Sequence, residues 1–286
     1  MRKKIYLSIG IVVIFILGLV TGYVYCEHIV AKESEENTIY LAYGDNLNKA
    51  EVNDYQKEKV SLKAKKDEYL LVLYLEKGCG SCYRQLEIVE RLSRIFENQV
   101  SVAVLWKGDI PKEDYKSLRI DSNQLYSIKE KLALNGTPAA LILDEEGKII
   151  FLTSDMDKIV DKTLTLENID DQQVRKNANT YLTQIVNADK SKIPMIYFSM
   201  KGCKDCEAAD EVIDEEVLRK YDIQYLFNED AYGEEKFIDI DSIFLNIYEI
   251  DWYPSFLILN KDEAEDDLVI GNTEINVLKD TLMQSK

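Results

Sequence analysis

Histidine is almost missing from this chain: one in 286 residues. That one, His28, has no partner in sequence and reads as a solvated linker residue. Positive charge is short as well. Lys and Arg number 35 against 52 Asp and Glu, a formal net charge of −17. Phosphate binding needs a basic patch, so nucleic acid is not expected as a partner. The same balance disfavours docking on an anionic lipid surface and attracts cationic partners. Cysteine is scarce, five in all, so this is not a small secreted domain stapled by many disulfides. No low-complexity tract appears. The length is enough for two domains of ordinary size.

Four of the five cysteines form two Cys-x-x-Cys pairs, 124 residues apart. The first is Cys79 and Cys82, in LLVLYLEKGCGSC, with Pro138 following in NGTPAALILD. The second is Cys203 and Cys206, in IPMIYFSMKGCKDC, with Pro254 following in DWYPSFLILN. Each proline comes 51 to 59 residues after its first cysteine and opens an apolar strand. The same order at nearly the same spacing, twice, indicates a duplicated redox domain.

The spacing suits thiol–disulfide exchange. A thiolate attacks a disulfide, forms a mixed disulfide, and is released by a second thiol nearby. A first cysteine at a helix start has its sulfur near free amide N–H groups. These and the helix dipole lower the thiol pKa from about 8.5. The second cysteine lies one turn in and is more shielded. Gly78 and Gly202 precede the pairs and allow a sharp strand-to-helix turn.

The amino terminus reads as a membrane anchor. Arg2, Lys3 and Lys4 are followed by uncharged, mostly apolar residues over 5–25. About twenty such residues cross a ~30 Å hydrocarbon core as a helix, whereas a cleaved signal is usually shorter with a small-x-small site after it. The basic cluster is expected to stay in the cytoplasm and the rest of the chain outside. Gly18 and Gly22 form a Gly-x-x-x-Gly that can pair two helices into a homodimer. Cys26 reads as an inert juxtamembrane residue. The expected division is an anchor at 1–27, a linker at 28–37 and two domains at 38–160 and 161–286.

Periodicity supplies the elements. Residues 39–43 read as a first strand and 54–66 as a helix, although Val60, Leu62 and Ala64 are poorly spaced for one. The run 69–76 is continuously apolar, as a buried central strand is. Leu86, Val89, Leu92, Ile95 and Phe96 recur at helical spacing, 100–106 reads as a strand and 123–134 as a helix. A hairpin over 139–152 closes the first unit. The second repeats the order: helix marked by Val174, Ala178 and Leu182, strand at 194–198, one helix over 206–221, strand at 223–227, helix at 240–248, hairpin at 256–270 and a final helix from 273. Such alternation ending in a hairpin indicates a mixed α/β sheet with helices on both faces.

From about residue 39 onward the pattern resembles the thioredoxin superfamily, in particular membrane-anchored bacterial thiol–disulfide oxidoreductases, here with two tandem thioredoxin-like domains. Gly136-Thr137-Pro138 is similar to the family's proline segment, and Trp252-Tyr253-Pro254 to that of protein disulfide isomerases. The resemblance implies that Cys79 and Cys203 are nucleophiles and Cys82 and Cys206 resolve. It implies that Thr137, Pro138, Tyr253 and Pro254 face the substrate. No cofactor or metal is implied. The partners it implies are secreted or surface protein thiols and disulfides, with a membrane redox partner able to exchange electrons. Three family residues are missing. The tryptophan before the first cysteine is Gly78 or Gly202, and the proline inside the pair is replaced by Gly80-Ser81 or Lys204-Asp205. The buried aspartate six residues upstream is Leu73 or Tyr197. Glu76 is a candidate stand-in as proton acceptor.

Two other readings stay open: an extracellular binding or scaffold protein with structural disulfides, and a metal protein holding its ion on cysteines. A Cys-x-x-Cys loop is too short to gain much from closure, which weakens the first. Zinc pairs are usually about 15–20 residues apart, which weakens the second.

Overall fold

The run at 69–76 is an interior strand of the larger of two main sheets. The computed structural model describes residues 38–110, 125–128, 131–134, 136–186, 191–227, 237–239, 242–259, 268–271 and 274–285. The expected anchor and linker, 1–37, lie outside the described residues. Among the described residues no helix is long and apolar enough to cross a membrane.

The first part of the chain contains β1 (Thr38–Tyr40), β2 (Val52–Asp54), β3 (Lys59–Val60), β4 (Tyr69–Glu76), α1 (Gly80–Ile95), β5 (Val100–Lys107), β6 (Leu125–Ile128), β7 (Lys131–Ala133), β8 (Ala139–Leu143), β9 (Ile149–Thr153) and α2 (Lys158–Leu164). The second part contains α3 (Asp171–Val186), β10 (Ile193–Ser199), α4 (Lys204–Val212), α5 (Glu215–Lys220), β11 (Tyr221–Phe227), β12 (Phe237–Ile238), α6 (Ile243–Ile247), β13 (Ser255–Ile258), β14 (Leu268–Gly271) and α7 (Ile275–Gln284). Seven strands lie in the order β3-β2-β6-β5-β4-β8-β9 and five in the order β12-β11-β10-β13-β14, while β1 and β7 pair separately. Within the larger sheet, β6-β5-β4-β8-β9 repeats the order and polarity of the smaller one. Two parallel pairings are followed by two antiparallel ones in each.

Strand β4 is apolar from Tyr69 to Leu75 because both its faces are covered. Leu71, Leu73 and Leu75 enter one cluster; Leu70, Val72 and Tyr74 enter another with Leu47, Val52, Leu62 and Leu132. The Tyr74 hydroxyl donates to the Leu132 carbonyl at 2.9 Å. Burial, then the charge of Glu76, pushes its phenol up to about 12. The first cluster continues into the second sheet. It holds Cys82 and Trp106 together with Phe198, Phe244 and Leu257, with α1 packed on α3 and α2 on α6. Polar ties run alongside: Asn177 donates to the Ile95 carbonyl at 2.9 Å, and Arg94 donates to Gln184 at 3.1 Å. The outer face of the second sheet carries a third cluster, where Met195, Tyr197 and Phe256 meet Leu278 and Leu282.

Three expectations need correction. Residues 54–66 are not a helix but the end of β2, a turn at 55–57, β3 and extended chain. Leu62 and Ala64 are buried while Ser61 and Lys63 are exposed, so the period of two wins. Within 123–134, the described residues are strands β6 and β7. Pairing with β5 and β2 fixes β6, and pairing with β1 fixes β7, so tertiary pairing overrides local preference. The helix expected over 206–221 is broken in two. Asp214 is extended (φ −89°, ψ −176°), and its carboxylate accepts the N–H groups of Glu216 and Val217, starting α5 afresh.

Lys279 on α7 reaches back to Asp214 at 2.7 Å and Glu216 at 2.9 Å. The Lys279 hydrogen bond, then the N–H of Val217, holds the Asp214 carboxyl below its ordinary 3.8. A carboxyl depressed in the folded state stabilises it above the ordinary value and loses that contribution as pH falls through the folded one. Chemical denaturation of the wild-type chain is therefore expected to become easier on going from about pH 5 to about pH 2. Asp214→Asn keeps a capping oxygen without the charge and should flatten that decline. An unchanged pH slope in the variant would show that the ion pair contributes nothing.

Candidate active site

Sheet pairing brings each proline to its cysteines. Antiparallel pairing sets Leu73 opposite Ala140 and Tyr74 opposite Ala139, so β8 starts where β4 ends. In the second sheet Tyr197 lies opposite Phe256 and Phe198 opposite Ser255. The Thr137–Pro138 and Tyr253–Pro254 peptide bonds, just before these strands, are both cis. On the other side of each site the chain turns from strand to helix through Gly78 (φ +86°) and Gly202 (φ +73°). A Cβ on Gly78 would meet nothing within 4 Å, so the turn demands the backbone angle rather than space.

Cys79 caps α1 and Cys203 caps α4. The Cys79 sulfur accepts the Cys82 N–H at 3.2 Å, and the Cys203 sulfur accepts the Cys206 N–H at 3.0 Å. Both pairs are disulfides. Cys82 and Cys206 are buried, at 0% and 2% exposure, while Cys79 and Cys203 are partly exposed. The Thr137 carbonyl oxygen lies 3.7 Å from the Cys79 sulfur, and the Tyr253 carbonyl oxygen 3.9 Å from the Cys203 sulfur. The sequence-predicted residues thus assemble into two separate sites, one per sheet. Each has an accessible sulfur at a helix start, a shielded one beneath it and a carbonyl facing it.

The sites differ where sequence gave little warning. Ser81 places its hydroxyl 3.3 Å from the Cys79 sulfur. In the second pair that position is Asp205. Tyr197, six residues before Cys203, is fully buried, stacks on Phe256 at 4.6 Å and donates to the Cys206 carbonyl at 3.0 Å. Burial, then the charge of Asp210, pushes its phenol up, so at neutral pH it is a donor rather than a base. Its counterpart Leu73 offers no polar group. Glu76 is paired with Lys107 at 2.8 Å. Gln85 Oε1 on α1 and Trp106 Nε1 on β5 are buried without a hydrogen-bond partner among the described residues. Among the described residues no group of three or more His, Cys, Asp or Glu is placed to hold a metal ion.

No protein-family model and no curated protein sequence matches the chain. Solved structures do. It is similar to the thioredoxin domain of a thiol-disulfide oxidoreductase from Bacteroides vulgatus, at 22% identity and TM-score 0.29, covering 39% of this chain and 88% of that one. It is similar to a thiol:disulfide interchange protein from Bacteroides sp., at 21% identity and TM-score 0.29, covering 39% and 81%. A DsbF homologue from Corynebacterium diphtheriae shows 13% identity and TM-score 0.32, covering 42% and 87%. The two Cys-x-x-Cys disulfides are consistent with oxidoreductase activity.

Proposed function

We propose that the chain is a thiol–disulfide oxidoreductase of the thioredoxin superfamily, with two tandem thioredoxin-like units joined near 155–171. We further propose that it is held at the cell membrane by its amino terminus and acts outside the cytoplasm on secreted or surface proteins. One observation carries the chemistry. At both sites the more exposed sulfur of the pair is the one at the helix start, opposite the proline-loop carbonyl. A purely structural disulfide has no need of that polarity.

The exchange balances as follows. The Cys79 thiolate attacks one sulfur of a client disulfide, and the client's other sulfur leaves as a thiolate. The Cys82 thiolate then attacks the Cys79 sulfur, and the client's remaining thiolate leaves. The client gains two electrons and takes up two protons, and the pair ends as the disulfide seen here. Run backward, the same steps oxidise a client dithiol. The α1 N–H groups and the Ser81 hydroxyl stabilise the attacking thiolate.

The test uses the full chain with dithiothreitol as electron donor and insulin as the client disulfide. Insulin reduction is expected to exceed that of dithiothreitol alone and to return to the dithiothreitol rate when Cys79 and Cys203 are both serine. Undiminished reduction by the double variant would falsify the assignment.

A further inference from the structure

We propose that Trp252 is a recognition side chain of the second disulfide and selects extended cysteine peptides carrying Lys or Arg beside the cysteine. The inference rests on the exchange chemistry above and adds a specificity to it. Trp252 is 59% exposed, although it is a large apolar side chain. The next residue supplies the carbonyl that lies 3.9 Å from the Cys203 sulfur. At the first site the same place in the loop is Gly136, which has no side chain to offer. Among the described residues, the second site thus carries a large exposed side chain at a loop position where the first carries none.

The structure anchors the backbone that carries this side chain. Ser255 is buried at 1% exposure, and its hydroxyl donates to the Trp252 carbonyl at 2.7 Å. Across the sheet, Ser255 faces Gly271. A Cβ at Gly271 would come within 2.8 Å of the Ser255 oxygen, so the glycine leaves room for the hydroxyl. The residue equivalent to Ser255 at the first site is Ala139, which cannot make this bond. Ser255 is thus a positioning residue and Trp252 the residue that meets the client.

Charge selects the occupant. Asp205 and Glu207 lie exposed in the first turn of α4, Asp251 is exposed beside Trp252, and Lys201 and Lys204 oppose them. An indole face attracts cations through its π-system, and nearby carboxylates add to that attraction. A peptide with Arg or Lys next to its cysteine meets both as its sulfur reaches Cys203. One with Glu meets repulsion instead.

The test uses the full-length chain with Cys26, Cys79 and Cys82 replaced by serine, its remaining pair oxidised. Two reduced dithiol peptides, one with Arg beside each cysteine and one with Glu, serve as electron donors. Each transfers two electrons, breaks the Cys203–Cys206 bond and ends as a peptide disulfide. Rates are divided by the rate with dithiothreitol. The Arg peptide should react faster, and Trp252→Ala should lower its advantage by about fivefold. Trp252→Phe should keep most of it, Ser255→Ala should lower it, and Tyr43→Ala, at an exposed aromatic elsewhere, should leave it alone. A serine version of the Arg peptide should also shield indole emission from iodide. Trp106 is fully buried, so the quenchable signal belongs to Trp252. Equal loss of both peptides in Trp252→Ala, or no shielding, overturns the inference while leaving exchange intact. A second pair that neither dithiothreitol nor peptide reduces overturns exchange at this site and the inference with it.

Discussion

Replacing Cys82 by serine should convert the chain into a trap. In that variant the Cys79 thiolate still attacks a client disulfide, but nothing beneath it can release the client. Mixed disulfides should then accumulate and appear as high-mass species on a non-reducing gel. Cys79→Ser should trap few, because Cys82 is fully buried and has no access to a client. The expected contrast is large, since each variant removes a reacting atom rather than a supporting contact. Cys203 and Cys206 should be serine in both backgrounds, so that the second site does not contribute. The captured partners carry information of their own. Exported proteins among them support the extracytoplasmic placement, whereas a catch made only of cytoplasmic proteins overturns it. Equal trapping by both variants would overturn the assignment of Cys79 as the entry point.

The parts of the fold legible in sequence are those where one physical demand dominates. Residues 69–75 are apolar on both faces because β4 lies inside its sheet, and the strand has the bounds 69–76 that the sequence indicates. The Cys-x-x-Cys pairs, the glycines before them and the prolines were legible because the turn and the chemistry require those residue types. Sequence failed where pairing decides. The two-residue strand β3 and the short β6 and β7 carry too few apolar residues to show a period, and their neighbours in the sheet define them. The break between α4 and α5 was hidden because Val212, Ile213, Val217 and Leu218 keep helical spacing across it. Asp214 decides the matter by bonding to the backbone, a competition that side-chain patterning does not register. In the site, Ser81 and Trp252 were in plain view as residues. Their meaning depends on a sulfur contact and an exposure that only the folded chain supplies.

The shared core constrains how the two sites can be compared. Phe198, Phe244 and Leu257 of the second sheet and its helices belong to the same cluster as Cys82, Leu86 and Trp106. Cutting the chain between α2 and α3 would expose that cluster on both pieces, at a cost of about 25 cal/mol for each Å² of apolar surface uncovered. Fragments would report on that damage as well as on the thiols. The comparison belongs in the full-length chain, with one pair replaced by serine at a time.

In that setting, Cys79 is expected to react with iodoacetamide faster than Cys203 near neutral pH. Both sulfurs cap a helix and accept one backbone N–H, so the backbone does not distinguish them. The side chains do. The first turn of α1 has no acidic residue, and Ser81 places a hydroxyl 3.3 Å from the Cys79 sulfur. The first turn of α4 holds Asp205 and Glu207. Carboxylates there suit the helix dipole but oppose a thiolate at the same end, which raises the thiol pKa and lowers the thiolate fraction at a given pH. Lys201 and Lys204 offset part of this. The rate–pH curve of Cys203 should therefore lie at higher pH than that of Cys79. The gap should narrow in about 1 M salt, where screening reaches within about 3 Å. The decisive variants exchange the two residues. Ser81→Asp should slow Cys79, and Asp205→Ser should speed Cys203. Cys26 is replaced by serine throughout so that it does not add to the signal. An equal or faster rate at Cys203 in the parent chains, or exchanged residues that leave both curves where they were, would refute the ordering. It would also remove the reason for treating the first site as the more reactive of the two.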